Sequence, residues 1–329
     1  MYKIKVQKPG LCTTVQDMGR VGFQKFGIPV SGVMDEFSFV VANYLLGNNY
    51  NNAVLEVQYM GPTLEFDFDV SVAITGANLS AKLNGEDVAM WETINIKKGD
   101  VLSFGNIKEG VRTYIAFAGE IDVPLVNGSK STLLKSKLGG FDGRQLKMLD
   151  EIEIKNPRVL ENKNKLQEKF IPKFVAENEI RVILGPQDDY FTENGIKTFL
   201  SSEYTVTKDA DRMGMRLSGE VIEHKDKADI ISDAAVFGSI QVPGNGLPII
   251  LLADRQTTGG YTKIATVIKA DLPKLAQMSP NNKIKFKKVE LSEAQTIYKQ
   301  FYDNLEFIKA SFEEKKSSCI FKKIFKIFG

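Results

Sequence analysis

The chain has 329 residues, enough for one large or two moderate domains at about 100–200 residues per domain. Hydrophobic residues make up 43% of the chain and charged residues 26%, which is typical of a globular protein and argues against a disordered or membrane-embedded chain. The formal net charge of +2 offers no basic excess for a phosphate backbone, so we expect no nucleic-acid partner. The two cysteines lie at opposite ends and the first residues lack the apolar segment of a signal peptide, so we expect a cytoplasmic protein.

The first half of the chain predicts a mainly β fold with one clear helix. Short apolar runs separated by Gly, Asn, Asp and Pro are typical of strands joined by turns. Asp35 is a suitable N-cap for a helix whose apolar face runs to Leu45, and Gly47 is a suitable stop. The strands predicted in this half cover residues 54–59, 63–66, 70–75, 101–104 and 112–117.

A polar segment separates this half from a second one. Residues 156–179 alternate Lys, Glu and Asn with few large apolar side chains, which predicts a linker between an N-terminal β subdomain, 1–155, and a C-terminal β subdomain, 180–313. Helices are predicted over 190–200 and 292–313. The strands predicted in this half cover residues 180–184, 204–207, 235–242, 248–253, 262–268 and 283–288, so each half has a barrel-like run of strands.

The final segment, 314–329, predicts a basic amphipathic tail. Residues 315–329 hold five lysines and no acidic residue. Apolar side chains from Ile320 to Phe328 recur at helical spacing opposite the lysines, which predicts an amphipathic helix. Such a helix could contact an anionic membrane, dock on a partner or fray, and membrane contact is not the favoured alternative.

The sequence lacks the residue sets of several common chemistries. His224 is the single histidine and lies in a polar run, which indicates a solvated loop residue rather than a catalytic base. No zinc-type Cys or His spacing and no calcium loop occurs, so no metal site is predicted. The glycine-rich segment 256–260 lacks the Gly-Lys-Ser/Thr ending of a P-loop, and no Met-Lys-Met biotin-acceptor tripeptide is present.

Two polar clusters in the sequence follow predicted strands, where a rigid element presents a loop to a ligand. The first combines residues 13–20 with the glycine- and proline-containing loop 27–35. The second covers residues 185–189, where one of two aspartates could instead cap the next helix. The candidate substrate-binding residues of these clusters are Gln16, Arg20, Met34, Asp35, Gln187, Asp188 and Asp189.

Two further clusters contain the candidate catalytic residues. In the third, 209–214, Arg212 lies beside two carboxylates, either in a surface turn or oriented toward an anion. The fourth follows an almost wholly apolar run, and its polar residues would be costly at a buried strand end unless they are used. Arg255 and the backbone of Gly259 and Gly260 could stabilise an anion or amide, while Asp254, Lys263 and Tyr261 remain alternative proton carriers. The remaining candidate substrate-binding residues are Met213, Gln256, Thr257 and Thr258.

Ordered motifs along nearly the whole chain support a family resemblance. They occur at residues 9–17, 29–35, 42–48, 55–56, 61–64, 139–144, 185–189, 211–214 and 252–268. The chain resembles the C subunits of bacterial 5-oxoprolinase, a family also described as biotin-dependent carboxyltransferase-like or allophanate hydrolase subunit 2. An antagonist of a sporulation kinase inhibitor is another relative. The resemblance implies cyclophilin-like β-barrel subdomains with a few short helices.

The resemblance also implies an activity and partners. The chain would act with the 5-oxoprolinase B subunit, its closest partner, and with the A subunit. Together they would open 5-oxoproline to glutamate, with ATP and Mg²⁺ used in the assembled complex. The alternatives are biotin-dependent carboxyl transfer to urea or a similar amide, or regulation of a kinase inhibitor; biotin enters only under the first of these. The chain departs from the family at Thr262, where proline is usual, and in the tail after residue 313.

Overall fold

The structure is a computed structural model that describes residues 2–175 and 177–327, with side chains described as far as residue 313 except that of residue 177. Strands dominate both halves, as the sequence predicts. The first half contains helix α1 (Glu36–Leu45) and strands β1 (Lys3–Lys8), β2 (Cys12–Gln16), β3 (Val54–Gln58), β4 (Thr63–Phe66), β5 (Val70–Asn78), β6 (Ala81–Leu83), β7 (Glu86–Asp87), β8 (Thr93–Ile96), β9 (Val101–Phe104), β10 (Glu109–Phe117), β11 (Glu120–Ile121) and β12 (Glu151–Lys155).

The second half continues the chain order with three helices and nine strands among the described residues. The helices are α2 (Glu193–Ser201), α3 (Leu272–Ala276) and α4 (Leu291–Ile327). The strands are β13 (Glu177–Leu184), β14 (Glu203–Val206), β15 (Gly214–Ser218), β16 (Asp229–Ala234), β17 (Ser239–Gln241), β18 (Ile249–Leu251), β19 (Thr258–Tyr261), β20 (Lys263–Val267) and β21 (Lys283–Lys288). Short 3₁₀ helices occupy Gln24–Phe26, Leu134–Ser136, Glu168–Phe170, Asp188–Tyr190 and Lys269–Asp271.

Two sheets enclose the core of the first half. One sheet has the strand order β11-β12-β1-β4-β9-β6-β7, and the other has the order β2-β3-β10-β5-β8. Helix α1 packs against this core with eight of its ten residues buried. The predicted N-cap is confirmed, because the Asp35 carboxylate accepts hydrogen bonds from Ser38 N at 3.0 Å and from the Ser38 hydroxyl at 2.6 Å.

The second half is a closed barrel in the order β13-β20-β17-β18-β15-β14-β21. Its pairs are antiparallel except β13 with β21. The rings of Phe199 and Phe286 stack at 4.5 Å between centroids and help to fill its interior. Strands β16 and β19 form a separate two-stranded ribbon, on which Ile231 is 95% exposed.

The two halves exchange elements across their boundary. Met34, from the loop before α1, is buried in the core of the barrel. Leu305, Ile308 and Phe312 of α4 are buried in the core of the first half, so the last helix crosses back over it. The Gln277 carboxamide joins the halves, since its oxygen accepts from the backbone N–H groups of residues 111 and 112 at 2.9 Å each.

Several local predictions differ from the structure. Residues 12–16 form an unpredicted strand, β2, and the ribbon β16–β19 was not expected. Helix α2 begins later than predicted because Thr192, rather than Asp188 or Asp189, caps it through Gly195 N at 2.9 Å. His224 is half-buried against Phe191, with ring centroids 4.5 Å apart, instead of being solvated.

The predicted tail lies largely outside what the structure describes in detail. The backbone of α4 is helical as far as Ile327, well beyond the predicted end at residue 313. The side chains of the tail lie outside the described residues, so its amphipathic face stays a prediction, as does the division of the chain into four parts. Among the helices that the structure describes, none is long and apolar enough to cross a membrane.

Candidate functional site

A buried ion network lies where the two halves meet. Arg212, just before β15, donates from Nε to Asp254 Oδ2 at 2.9 Å and from Nη2 to Asp254 Oδ1 at 3.0 Å. Its Nη1 pairs with Glu56 of β3, and its Nη2 also donates to the Gly32 carbonyl. Burial alone would lower the pKa of Arg212, but the adjacent Asp254 and Glu56 carboxylates raise it above its usual value.

The carboxylates of this network have further protein donors. Glu56 Oε2 accepts from Met34 N at 2.9 Å and from the Tyr114 hydroxyl at 2.8 Å. Asp254 Oδ1 accepts from the Ser31 hydroxyl at 2.7 Å. Five side chains from the two halves, those of Ser31, Glu56, Tyr114, Arg212 and Asp254, are thereby held in one arrangement. Because its donors already bind protein acceptors, Arg212 is a positioning group for Asp254 rather than an open anion site.

Sequence reasoning missed Glu56 as a member of this network. It is a carboxylate in the middle of strand β3, within the apolar run 53–57, with both strand neighbours, Leu55 and Val57, fully buried. A charged residue inside such a run is rarely buried unless it is paired. That local pattern was the available signal, although the partner on the other half of the chain could not be identified from it.

Arg255 lines a cavity of about 340 Å³, here called the Arg255 cavity, whose lining also includes Ser31 and Met34 beside the ion network. Its walls are mainly apolar, and they include Val30, Val33, Leu272 and Phe237. Arg255 Nε donates to the Ala235 carbonyl at 3.2 Å, and Nη1 has two longer contacts with carbonyls at 3.3 and 3.4 Å. Burial lowers the pKa of Arg255 to about 10.

A second cavity of about 310 Å³, the Gln241 cavity, contains other predicted residues. Met213, Gln256 and Tyr261 line it, together with Lys135 from the first half of the chain. Gln241 also lines it, and this 98% buried side chain was missed by sequence reasoning. Among the described residues, none accepts a hydrogen bond from Gln241 Nε2. Gln241 Nε2 is therefore a buried donor without a protein acceptor among the described residues, in a residue that lines this cavity.

Lys263 belongs to a third cluster of polar side chains, which lies on the barrel. Its Nζ donates to Asp233 Oδ2 at 2.8 Å, and Gln187 Nε2 reaches the same oxygen at 3.2 Å. The Gln187 side-chain oxygen accepts from Lys263 N at 3.1 Å, so the predicted second and fourth clusters do meet here. The Lys263 ammonium is the main reason that the pKa of Asp233 is below its usual value.

Two candidates from the first cluster are buried deep in the structure. Arg20 donates from Nη2 to the Ser131 carbonyl, while its Nε and Nη1 have no hydrogen-bond partner among the described residues. Gln16 donates to the Thr132 carbonyl at 3.0 Å. Burial lowers the pKa of Arg20, although Asp17 and Asp254 oppose this effect.

The remaining candidates are spread over other elements. Asp35 is the buried cap of α1, and burial raises the pKa of its carboxyl group. Asp188 and Asp189 lie in a 3₁₀ helix. The ribbon strand β19 contains Thr258, Gly259, Gly260 and Tyr261, and Thr257 precedes it. The structure thus spreads the predicted site residues over the ion network, the two cavities, the ribbon, the Lys263 contacts on the barrel and several buried structural positions.

The departure at Thr262 supplies a backbone donor that proline would lack. Thr262 N donates to the Ala228 carbonyl at 2.9 Å, next to the start of the ribbon. Its hydroxyl lies 3.1 Å from His224 Nε2.

Over the described residues, no group of three or more His, Cys, Asp or Glu side chains could hold a metal ion.

The chain matches known proteins over most of its length. The family model "Carboxyltransferase domain, subdomain A and B" matches residues 26–288. The 5-oxoprolinase C subunit of Escherichia coli is 37% identical over 293 residues, which make up 88% of this chain and 93% of that protein. The corresponding C subunit of Haemophilus influenzae is 35% identical over 302 residues, 92% of this chain and 96% of that protein.

A similar solved structure is considerably longer than this chain. The crystal structure of the K. lactis urea amidolyase superposes with a TM-score of 0.88 at 29% sequence identity. The match covers 93% of this chain but 20% of the amidolyase, so this chain spans about a fifth of that protein. By contrast, it is nearly coextensive with the two bacterial proteins.

Proposed function

The chain belongs to the carboxyltransferase-domain family, and on that premise we propose that it is the C subunit of an ATP-dependent 5-oxoprolinase. The observation that carries this proposal is the coextensive match to a 5-oxoprolinase C subunit, over 93% of the Escherichia coli protein. The same chain covers 20% of the K. lactis urea amidolyase. The proposed partners are the A and B subunits, with the B subunit in direct contact.

The proposed reaction converts 5-oxoproline, ATP and water to glutamate, ADP and phosphate. A lactam carbonyl is poorly electrophilic. Transfer of the ATP γ-phosphoryl group to its oxygen would activate the carbonyl carbon, so that one water adds there and the ring C–N bond breaks, with the amine as leaving group. The acyl phosphate that remains would be hydrolysed by a second water to glutamate and phosphate. Such a step needs donors that stabilise negative charge on the substrate. We assign the reaction to the assembled complex and propose that this chain alone is inactive.

We assign different roles to Arg255, Arg212 and Lys263, and Asp254 remains a candidate proton carrier. Arg255 faces a cavity and is the group proposed to bind an anion. Arg212 acts as a positioning residue that holds Asp254 through two hydrogen bonds. Lys263 has its ammonium beside the partly exposed Asp233, where it is a candidate to move a proton or to stabilise charge.

ATP and Mg²⁺ are proposed as components of the assembled complex. The two carboxylates of the ion network, Asp254 and Glu56, both form ion pairs with Arg212. Since no metal-binding group of three acidic, His or Cys side chains occurs in the described part of the chain, we assign none of its residues to Mg²⁺.

Carboxyl transfer to urea or a related amide is the second candidate function. It is favoured by the TM-score of 0.88 to the K. lactis urea amidolyase. This function would require a biotinylated partner. A third alternative, regulation of a kinase inhibitor through the B subunit, would require binding without turnover.

Parallel product assays on the complex with the A and B subunits distinguish these candidates. One assay supplies 5-oxoproline and MgATP and measures glutamate and ADP. The other supplies urea, bicarbonate, MgATP and a biotinylated carrier and measures carboxylated urea. We expect equimolar glutamate and ADP in the first assay. Carboxylated urea without glutamate, or an assembled complex that forms neither product, would contradict the proposal.

A further inference from the structure

Arg255 is a buried cation without a carboxylate partner. It is 93% buried, yet among the residues that the structure describes no carboxylate lies within ion-pair distance of it. Its described hydrogen bonds run from Nε and Nη1 to three backbone carbonyls at 3.2–3.4 Å. The Phe237 ring lies 5.9 Å from the guanidinium carbon. These contacts fix the guanidinium, and the Asp254 carboxylate, beyond ion-pair distance, offsets only part of the cost of burying its charge.

Other arginines near the site are compensated differently. Arg212 binds two carboxylates, and Arg181 makes hydrogen bonds to both carboxylate oxygens of Asp271 at 2.6 and 2.9 Å. Arg255, like Arg20, has only neutral acceptors, but Arg255 differs from Arg20 in lining a cavity that a ligand could occupy. Its remaining nitrogen, Nη2, has no hydrogen bond among the described residues. An anion in the Arg255 cavity would supply the missing counter-charge.

The walls of the Arg255 cavity restrict the kind of anion. The volume of about 340 Å³ is at the small end for ligand pockets, and most of the wall is apolar. Its other charged residues, Glu36 and Lys269, already pair with each other at 3.3 Å, and Lys269 also donates to the Tyr302 hydroxyl at 2.9 Å. A doubly charged anion would meet one available cation and the Glu36 carboxylate, so the cavity favours a monoanion with a compact apolar body.

We propose that the Arg255 cavity binds the carboxylate of 5-oxoproline, a singly charged group on a small ring, through the Arg255 guanidinium. The identity of this carboxylate rests on the proposed function, whereas the preference for a monocarboxylate rests on the cavity itself. The apolar wall formed by Val30, Val33 and Leu272 contacts the ring methylenes. The site thus discriminates between ligands by their charge and size at the binding step, before the lactam reacts.

Binding to the full chain tests this proposal directly. Saturation-transfer NMR would measure affinity for 5-oxoproline, for its uncharged analogue 2-pyrrolidinone and for inorganic phosphate. We expect 5-oxoproline to bind at least tenfold more tightly than either comparison compound. Arg255→Met should remove this preference, and Arg255→Lys should restore part of it. The matched control is Arg158→Met, because Arg158 is exposed and bonds Asn48 at 2.7 Å.

Stability and kinetics separate a binding role from a structural one. Arg255→Met should not lower the melting temperature, since it removes an uncompensated charge, but it should raise the KM for 5-oxoproline in the complex at least tenfold. An unchanged KM and unchanged 5-oxoproline binding would overturn the inference while leaving the proposed function intact. Carboxylate binding through Arg255 in a complex that makes no glutamate would instead contradict the proposed function alone. A wild-type chain and complex that bind no 5-oxoproline would overturn the inference.

Discussion

Removal of Arg212 should destabilise the protein strongly, because this residue connects the two halves. In Arg212→Met, Glu56 Oε1 and Asp254 Oδ2 would each lose the guanidinium group that now donates a hydrogen bond to them. Arg112 Nε lies 3.9 Å from Glu56 Oε1 and is too distant to replace it. Breaking a buried ion pair costs about 3–5 kcal/mol. At about 2 °C per kcal/mol for a chain of this size, the melting temperature should fall by about 6–10 °C.

Thermal unfolding followed by circular dichroism at pH 7 measures this effect. The matched control is Arg216→Met, an exposed arginine on β15, for which we expect a change within about 0.5 kcal/mol. Adding Glu56→Gln to Arg212→Met should recover part of the loss, because it removes one of the stranded charges. A melting temperature for Arg212→Met within about 2 °C of wild type would refute the positioning role.

Three further predictions concern the Gln241 cavity and the packing of α3. Gln241→Met should raise the free energy of unfolding by about 1 kcal/mol in urea titrations, since it removes an unsatisfied buried donor. Gly259→Ala should lower it by at most about 1 kcal/mol, because the added Cβ would displace only the far end of the Gln241 side chain. Asp271→Asn should cost about 3 kcal/mol at pH 7 and progressively less below about pH 4, measured by unfolding at several pH values.

The pH dependence at Asp271 follows from its hydrogen bonds. Burial alone would raise the pKa of Asp271, but hydrogen bonds from Arg181 hold it below its usual value. The stabilisation is therefore present above the unfolded-state pKa and is lost as the pH falls through the folded-state pKa. A difference between wild type and Asp271→Asn that does not shrink in acid would contradict this account.

Controls for the cavity predictions use the same pair of residues. If the cost of Gly259→Ala arises from the overlap with Gln241, it should largely disappear in a Gln241→Ala background. Additive effects would contradict that explanation. A lower stability for Gln241→Met would show that the carboxamide has a structural partner after all.

The elements with strong local signals were predictable from sequence. Helix α1 has its cap, apolar face and stop within a short stretch, and the structure confirms the Asp35 cap. Strand β2 was missed because its Thr, Thr, Val and Gln side chains resemble a polar loop. They are buried only because other parts of the chain cover them, and sequence periodicity does not report such long-range burial.

The candidate site shows the same limit. The polar run after the apolar segment 247–253 predicted one anion or amide site, yet its consecutive residues diverge in the structure. Asp254 enters the ion network, Arg255 faces one cavity and Gln256 faces the other. Gln241 left only a weak signal, a single polar side chain between the buried Ile240 and Val242. Which cavity each residue faces depends on tertiary packing rather than on spacing.

The most direct test of the proposed function is to titrate this chain into a fixed amount of the A and B subunits with 5-oxoproline and MgATP. Glutamate release should be absent without the chain, increase as it is added and saturate at a fixed ratio of this chain to its partners. Release at the same rate without the chain, or no release from the assembled complex, would contradict the assignment as the C subunit.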